Sequence, residues 1–204
     1  MKNPKRRKRM ARIEGLVPFL LKWETGNVIR PSESNEAYYN RCKASRGGIS
    51  DDPDDSGGYT ICGVTYSTYR TYCRAKRLPD PTRADMKKAL TYHVWLDVLR
   101  NRFWDKLKCD QINSQSVAHI VLDWFWGSGF AGIKSLQRCL SLKADGIVGS
   151  KTLAALNTDN PRGLFEHIRK SREQFFRNLA EKRPKDKKHL KGWLNRLNDI
   201  PLTE

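Results

Sequence analysis

Apolar side chains that recur every three or four residues constrain the fold of this chain more than any other feature. The clearest stripe runs through residues 85–104 and consists of Met86, Ala89, His93, Leu96, Leu99 and Phe103. This spacing places the side chains on one face of an α-helix. A similar stripe, at residues 117–124, follows Ser114. We expect Ser114 to cap that second helix, and Gly127 and Gly129 to end it.

The last third of the chain carries further helical patterns. Residues 133–140 predict one helix, Ser150 is expected to cap the next, and Pro161 to open a longer one. Apolar residues between 190 and 197 indicate a short closing helix. A strand signal of lesser strength lies at residues 57–65, which fit a small hairpin. The sequence therefore predicts a mainly α fold with one small hairpin.

A polar segment from Asn27 to Ser56 interrupts the helical patterns. It is rich in Ser, Asp, Asn and Gly, and we predict a long loop there. Loops of this length in compact domains are usually functional or disordered. Tyr38 and Tyr39 within the segment suggest a lid that closes over a binding cleft.

The charge of the chain favours a polyanionic partner. Lys and Arg outnumber Asp and Glu by 39 to 22, which gives a net charge of +17. Nucleic acid, anionic membrane and bacterial wall polymers all attract a cationic surface, so charge alone does not choose among them. Much of the excess lies at residues 2–9 and 182–188, and dense runs of like charge are typically solvated. We interpret residues 1–12 as a basic tail.

The cysteines and histidines do not suggest a metal site. The five cysteines are an odd number and lack C-x-x-C spacing, and the four histidines lack metal-ligand spacing. We interpret the cysteines as mostly reduced, buried thiols and expect no metal and no cofactor. No stretch reaches the roughly 20 apolar residues that span a bilayer. The apolar residues 15–21 fit a first helix better than a secretory signal, because no small-residue cleavage site follows them.

Glu24 is the acid whose surroundings suggest chemistry. It follows the apolar residues 15–21 and Trp23, and it precedes Gly26, a residue type that often ends helices. An acid between the negative end of a helix and an apolar ring is harder to ionise than one in water. A protonated acid can donate a proton to a glycosidic oxygen. A solvent-facing glutamate at an ordinary helix end is the alternative.

The run D-D-S-G-G-Y-T-I-C-G-V-T at residues 54–65 is the second segment that suggests a site. Its glycines, Gly57, Gly58 and Gly63, allow a tight turn whose backbone approaches a sugar where a Cβ would collide. A plain hairpin turn uses the same residue types, and that interpretation stays open.

Read together, the two segments resemble glycoside hydrolase family 108, small lysozyme-like muramidases often found beside phage-type holins. The signature of that family is E-G-G followed by D-x-G-G-x-T-x-x-G-I-T, to which W-E-T-G at residues 23–26 and the run at 54–65 are similar. The resemblance implies a lysozyme-like helical fold, with the hairpin near the active site, and catalytic roles for Glu24, Asp55 and Thr60. Asp54 is a rival to Asp55, because in similar phage lysozymes the aspartate precedes the threonine by one residue more.

Two departures from the family pattern concern the proposed acids. Thr25 replaces the first glycine of E-G-G, and Glu24 and Asp55 lie 31 positions apart, which is wider than the family spacing. A third departure is Gly127, which replaces the asparagine of a later N-S-G motif. The wide gap affects the assignment of Asp55 more than that of Glu24.

Later segments extend the resemblance along the chain. F-W-D-K-L at residues 103–107 is similar to the family's Y-W-D-K-L, and D-W-F-W-G-S-G at 123–129 to its D-F-x-x-N-S-G. On the resemblance and the residue types, the predicted substrate-binding residues are Gly57, Gly58, Tyr59, Thr65, Asp123, Trp124 and Trp126. L-Q-R-C-L at 136–140 and the D-G-x-x-G-x-x-T pattern at 145–152 resemble peptidoglycan-binding modules. We expect residues 13–130 to form the catalytic region and residues 131–204 a helical, module-like region packed with it as one unit.

The resemblance implies a peptidoglycan hydrolase that cleaves the β-1,4 bond between N-acetylmuramic acid and N-acetylglucosamine, like a phage endolysin. The basic charge suits peptidoglycan glycan strands, which carry peptide carboxylates. We expect a monomer that is made in the cytoplasm without a clear signal peptide, reaches the periplasm or cell wall with the help of a holin, and binds no specific nucleic acid. Two alternatives stay open: a non-catalytic peptidoglycan-binding protein on the same scaffold, and a nucleic-acid-binding protein that uses its basic run.

Overall fold

The computed structural model describes residues 10–51 and 58–203. Within them the chain forms nine α-helices and three short strands. In chain order these are α1 (Val17–Thr25), α2 (Asn35–Ala44), β1 (Ile49–Asp51), β2 (Tyr59–Ile61), β3 (Val64–Thr65), α3 (Tyr66–Ala75), α4 (Arg83–Ala89), α5 (Tyr92–Leu99), α6 (Gln115–Cys139), α7 (Ser150–Leu156), α8 (Pro161–Lys182) and α9 (Leu190–Asn198). The predicted mainly α fold is confirmed. The basic run at residues 2–9 lies outside the described part of the chain.

The chain forms two compact units, one of Ile13–Asp105 and one of Met1–Arg12 with Lys106–Glu204. The first unit contains α1 to α5 and the sheet. Its core is made of fully buried side chains such as Leu16, Leu20, Tyr39 and Trp95. These units divide the chain between residues 105 and 106, whereas the functional boundary predicted at residue 130 lies inside α6. That boundary stays a prediction.

The single helix predicted over residues 85–104 is wrong, because the chain breaks between α4 and α5. Thr91 has an extended backbone there, and its side chain accepts a hydrogen bond from the Val94 N–H at 3.4 Å, so it begins a new helix as an N-cap. A π-helical turn at Arg100–Trp104 follows α5. The apolar stripe is continuous through the break, which is why periodicity alone did not reveal it.

The three strands form one antiparallel sheet in the order β1-β2-β3. Thr60 pairs with Ser50 on one side and with Thr65 on the other, so the hairpin predicted within residues 57–65 is confirmed. Alternation along the strands puts the buried Ile61 and Val64 on the opposite face from these three hydroxyl residues. The sheet therefore has one core face and one polar face.

The loop predicted for residues 27–56 is wrong in part, because α2 and β1 lie within it. Ser34 caps α2 by accepting the Ala37 N–H at 3.2 Å. Tyr38 and Tyr39 are fully buried; their hydroxyls donate to the backbone oxygens of Asn27 and Leu90 at 2.6 and 2.7 Å. They belong to the core, and the lid hypothesis loses its basis.

The second unit is built around α6 and α8, which pack along each other. The Ser114 hydroxyl accepts the Val117 N–H at 2.9 Å, which confirms the predicted cap of α6. Gly127 does not end this helix; the break lies at Gly129, whose φ of 54° and ψ of −144° are not helical. Pro161 begins α8 as predicted, but α7 has Gly149 as its N-cap, so the predicted cap at Ser150 is wrong.

Two further findings apply to the described residues alone. No helix among them is long and apolar enough to cross a bilayer, and no cluster of three or more His, Cys, Asp or Glu side chains among them has metal-binding geometry. All five cysteines lie in the described ranges and none forms a disulfide; four are buried and Cys139 is half-buried. The prediction of mostly buried thiols is confirmed.

Candidate active site

Glu24 lies at the end of α1, as its sequence neighbours predict. The helix buries Val17, Phe19, Leu20 and Leu21, and it ends where Gly26 adopts a left-handed conformation with a φ of 72° and donates its N–H to the Lys22 oxygen at 2.9 Å. A left-handed glycine at this position is a common helix stop. Glu24 lies two residues before that glycine and is half-buried.

Hydrogen bonds fix the chain just after Glu24. The Thr25 hydroxyl donates to the Leu21 oxygen at 2.7 Å, and the Asn27 amide donates to the Ser45 hydroxyl at 2.9 Å. The Tyr38 hydroxyl donates to the Asn27 oxygen. Because these bonds join the end of α1 to α2 and to the residue after it, the backbone that carries Glu24 has little freedom.

The turn between β2 and β3 is equally well fixed. Its two residues, Cys62 and Gly63, have φ values of 47° and 78°, and positive φ at both positions is the mark of a type I′ hairpin turn. The Cys62 N–H donates to the Gly48 oxygen at 2.8 Å, and the Cys62 oxygen accepts the indole N–H of the fully buried Trp95 at 3.0 Å. Hydrogen bonds therefore join the turn to Gly48, the residue before β1, and to α5.

Glu24 lies directly against this turn. A Cβ built on Gly63 would come within 2.6 Å of Cγ, 2.7 Å of Cδ and 2.7 Å of Oε2 of Glu24. Carbon atoms in ordinary contact are about 3.5–4.0 Å apart. The carboxyl group thus occupies space that is open only because residue 63 has no side chain.

Cys62 is close to this carboxyl group but is unsuited to act as a nucleophile. Burial, together with the nearby Cys42 thiol and the Glu24 carboxylate, raises the pKa of the Cys62 thiol to about 12. The thiolate is the nucleophilic form of cysteine, and at neutral pH Cys62 stays protonated. Glu24 is therefore the group at this turn with acid–base capacity.

Tyr59 and Thr60 lie on β2, three and two residues before the turn residue Cys62, and both are half-buried. The Arg83 guanidinium lies 5.5 Å from the Tyr59 ring centre and donates to both carboxylate oxygens of Asp51 at 2.9 Å. Thr60 stands on the polar face of the sheet between Ser50 and Thr65. Hydroxyl groups in such a row suit hydrogen bonding to a sugar.

The remaining residues predicted in this region have different outcomes. Asp54, Asp55 and Gly57 lie outside the described residues. Gly58 has a φ of 57°, and a Cβ there would meet no atom within 4 Å. The Thr65 hydroxyl accepts the Thr68 N–H at 3.1 Å and caps α3, so it has a structural role beside the predicted one.

Asp123 and Trp124, predicted to bind substrate, are buried in the second unit. Asp123 is 0% and Trp124 1% exposed, and Asp123 accepts hydrogen bonds from Arg172 at 2.7 Å and Arg196 at 2.8 Å. Burial alone would raise the pKa of Asp123, but the two guanidinium groups bring it below its ordinary value. Direct contact of either side chain with a glycan does not fit this burial. Trp126 is half-buried.

Sequence reasoning missed the residues that position the site, above all Asn27, Trp95 and Gly48. Asn27 and Gly48 lie in the segment interpreted as a loop, and Trp95 is not among the residues of the predicted apolar stripe, although it is fully buried. Their hydrogen bonds reach partners 11 to 33 positions away in sequence, such as Tyr38 for Asn27 and Cys62 for Trp95. Local patterns carry no signal for such contacts.

Two family models match the chain. Residues 39–129 match the model of Glycosyl hydrolase 108, and residues 131–198 match that of a Predicted Peptidoglycan domain. Glu24 precedes both ranges. Among solved structures, that of SagA from Brucella abortus is similar, with 24% identity and a TM-score of 0.66 over 92% of this chain and 90% of that chain; at this identity the likeness shows a shared fold. No curated protein matches the chain.

Proposed function

We propose that this chain is a peptidoglycan hydrolase, and specifically an N-acetylmuramidase, because residues 39–129 match the model of Glycosyl hydrolase 108 and residues 131–198 match that of a Predicted Peptidoglycan domain. The bond to be cleaved is the β-1,4 bond from N-acetylmuramic acid to N-acetylglucosamine. Glu24 is the general acid that protonates the leaving oxygen.

The contact between Glu24 and Gly63 is the observation that carries this proposal. A general acid must be held in one place relative to the bond it protonates, because an error of about 1 Å costs about 100-fold in rate. The Glu24 carboxyl lies on a turn whose backbone is hydrogen-bonded to Gly48 and Trp95. Its half-buried position leaves it accessible to a substrate.

Asp55 and Thr60 complete the proposed mechanism. Asp55, with Asp54 as its rival, and Thr60 either stabilise the positive charge that develops on the sugar or position a water molecule. Carboxyl groups about 5 Å apart produce retention of configuration, and separations of about 6.5–9.5 Å produce inversion.

We further propose that catalysis belongs to residues 13–130 and wall binding to residues 131–204. The start of the peptidoglycan domain match at residue 131 supports this division. On this proposal the enzyme acts as a monomer on glycan strands and reaches them through a holin.

Replacement of the acid by its amide tests the proposal. Glu24→Gln keeps the size of the side chain and removes the transferable proton, so release of reducing ends from purified peptidoglycan should fall by at least about 1000-fold. Mass analysis of borohydride-reduced products identifies the bond: a muramidase leaves the muramic acid residue at the reduced end. Products that carry reduced glucosamine would contradict muramidase activity.

A matched variant controls for the loss of a surface carboxylate. Glu36→Gln removes an exposed carboxylate on α2 in the same unit and should retain full activity. Asp54→Asn and Asp55→Asn, assayed side by side, assign the second carboxylate: the larger loss is expected for Asp55. Undiminished turnover by Glu24→Gln would disprove the role of Glu24, and no turnover by the native protein would favour a non-catalytic wall-binding protein.

A further inference from the structure

Two large apolar side chains of the second unit are unusually exposed. Phe130 is 56% and Ile147 is 70% exposed. They lie close together: a Cβ built on Gly146, the neighbour of Ile147, would be 3.6 Å from Cδ1 of Phe130 and 3.4 Å from Cε of Lys134. We call Phe130, Lys134, Gly146, Ile147 and Lys106 the Phe130–Ile147 surface.

The turn that presents Ile147 is rigid. The side chain of Gln137, 1% exposed, accepts the Gly146 N–H at 2.8 Å and donates to Asp145 Oδ1 at 2.9 Å and to the Ile147 oxygen at 3.0 Å. Asp145 Oδ1 also accepts the Ile147 N–H at 2.9 Å. Three hydrogen bonds from one buried side chain fix the shape of this turn. The exposure of Ile147 therefore follows from the conformation of the turn and not from disorder.

The backbone conformation also determines the position of Phe130. Gly129, immediately before it, has a φ of 54° and a ψ of −144° and interrupts α6, a conformation that essentially only glycine adopts. Phe125 packs edge-on against the Phe130 ring, with 5.6 Å between ring centres. One side of the ring is therefore supported while the rest faces solvent.

The surroundings of the two side chains are mainly cationic. Lys106 places its Nζ 5.6 Å from the Phe130 ring centre, and Lys134 is exposed beside Gly146. Asp145, an acid of the same turn, is already engaged: hydrogen bonds from the Ile147 N–H and from Gln137 hold its pKa below the ordinary value. The surface thus offers an apolar centre flanked by two ammonium groups.

We propose that the Phe130–Ile147 surface is the place where the second unit binds peptidoglycan, with the Phe130 ring against a sugar face and the two lysines on the carboxylates of the peptide stem. The inference rests on the proposed function and locates its wall-binding surface, to which Phe130 and Lys106 contribute from the residues before the proposed division at residue 131. Exposed aromatic rings bind the apolar faces of sugars, and rigid anchors lose little entropy on binding. The match to a peptidoglycan domain over residues 131–198 includes Lys134 and Ile147.

A second copy of this chain fits the surface less well. Two apolar side chains are far short of the roughly 800 Å² that each partner of a stable dimer buries.

A sedimentation assay with protein-free peptidoglycan sacculi tests the proposal. All proteins carry Glu24→Gln so that the sacculi stay intact, and the full chain is used throughout. Phe130→Ser and Ile147→Ser should each weaken binding by about threefold to tenfold, and the double variant by more than tenfold. The control is Leu78→Ser, which removes a side chain that is 50% exposed in the other unit and should leave binding unchanged.

Three results would overturn the proposal. The first is equal binding of the double variant and its parent to sacculi. The second is binding of the parent, but not of the double variant, to vesicles of phosphatidylglycerol and phosphatidylethanolamine. The third is a concentration-dependent dimer in sedimentation velocity that the double variant abolishes. Hydrolysis by the proteins with native Glu24 is measured separately, so failure of the muramidase proposal is recognised by its own assay and is not confused with failure of this one.

Discussion

The contact between Glu24 and Gly63 makes Gly63→Ala the most informative substitution in this protein. The new methyl group would lie 2.6–2.7 Å from three atoms of the Glu24 side chain, about 1 Å closer than ordinary contact allows. The glutamate is the flexible partner, so its carboxyl group should move by about 1 Å. A displacement of that size at a catalytic group costs about 100-fold in rate, and we expect kcat/KM for reducing-end release to fall by about that factor.

The effect on stability should be much smaller than the effect on rate. An alanine with a φ near 78° is strained by about 1–2 kcal/mol, and displacement of a side-chain end adds little. Gly26→Ala is the matched control: its φ is 72°, it ends the same helix that carries Glu24, and its Cβ would meet no atom within 4 Å. This variant should lose similar stability in thermal unfolding yet keep activity within about twofold of the native protein.

The comparison of the two alanine variants isolates the steric effect from backbone strain. In a Glu24→Gln background, Gly63→Ala should cause no further loss of rate, because the group that it displaces no longer acts. If Gly63→Ala and Gly26→Ala retain equal activity, catalysis does not depend on the position of Glu24 over the turn, and the assignment of the acid would have to be abandoned.

Two predictions concern the buried charges of the second unit. Burial and the nearby arginines lower the pKa of His119 from 6.5 to about 4, although Asp123 acts in the opposite direction. The native state therefore binds fewer protons than the unfolded state between these pH values. The free energy of unfolding should have its full value above pH 6.5 and fall by about 3 kcal/mol as the pH drops to 4. Urea unfolding across that range should show this slope in the native protein and a flatter one in His119→Gln; parallel slopes would contradict the assignment. Asp123→Asn should destabilise the unit by about 3–5 kcal/mol, because it leaves the charge of Arg172, 1% exposed, without its carboxylate. Glu173→Gln, which breaks an exposed pair on α8, should cost less than about 1 kcal/mol, and equal losses in these two variants would refute the argument.

The sequence predicts elements well where a local signal exists. Ser114, Gly26 and Pro161 mark helix ends by their own chemistry, and the structure confirms all three. The helix α2 was missed because its sequence is polar, and its few buried side chains were interpreted as part of a lid. Thr91 caps α5, but the apolar stripe continues on both sides of it, so periodicity predicts one helix there.

The site was predictable in part for the same reason. The helix end locates Glu24, and the glycines of residues 57–65 locate a turn, but their contact depends on packing between segments 39 positions apart. Asp123 shows the opposite error. Its motif suggested a binding residue, whereas its partners Arg172 and Arg196 lie 49 and 73 positions away. No local pattern distinguishes a carboxylate that awaits a ligand from one that two distant arginines neutralise.

The anchoring of the Cys62–Gly63 turn has a consequence for how the site meets its substrate. The Cys62 N–H and carbonyl are hydrogen-bonded to Gly48 and to the fully buried Trp95, so these two backbone groups are released only when the interior of the first unit opens. The Cys62 amide proton should exchange with solvent as slowly as those of the central helices. The turn that contacts Glu24 is therefore preorganised, and its backbone should lose little conformational entropy when a glycan binds.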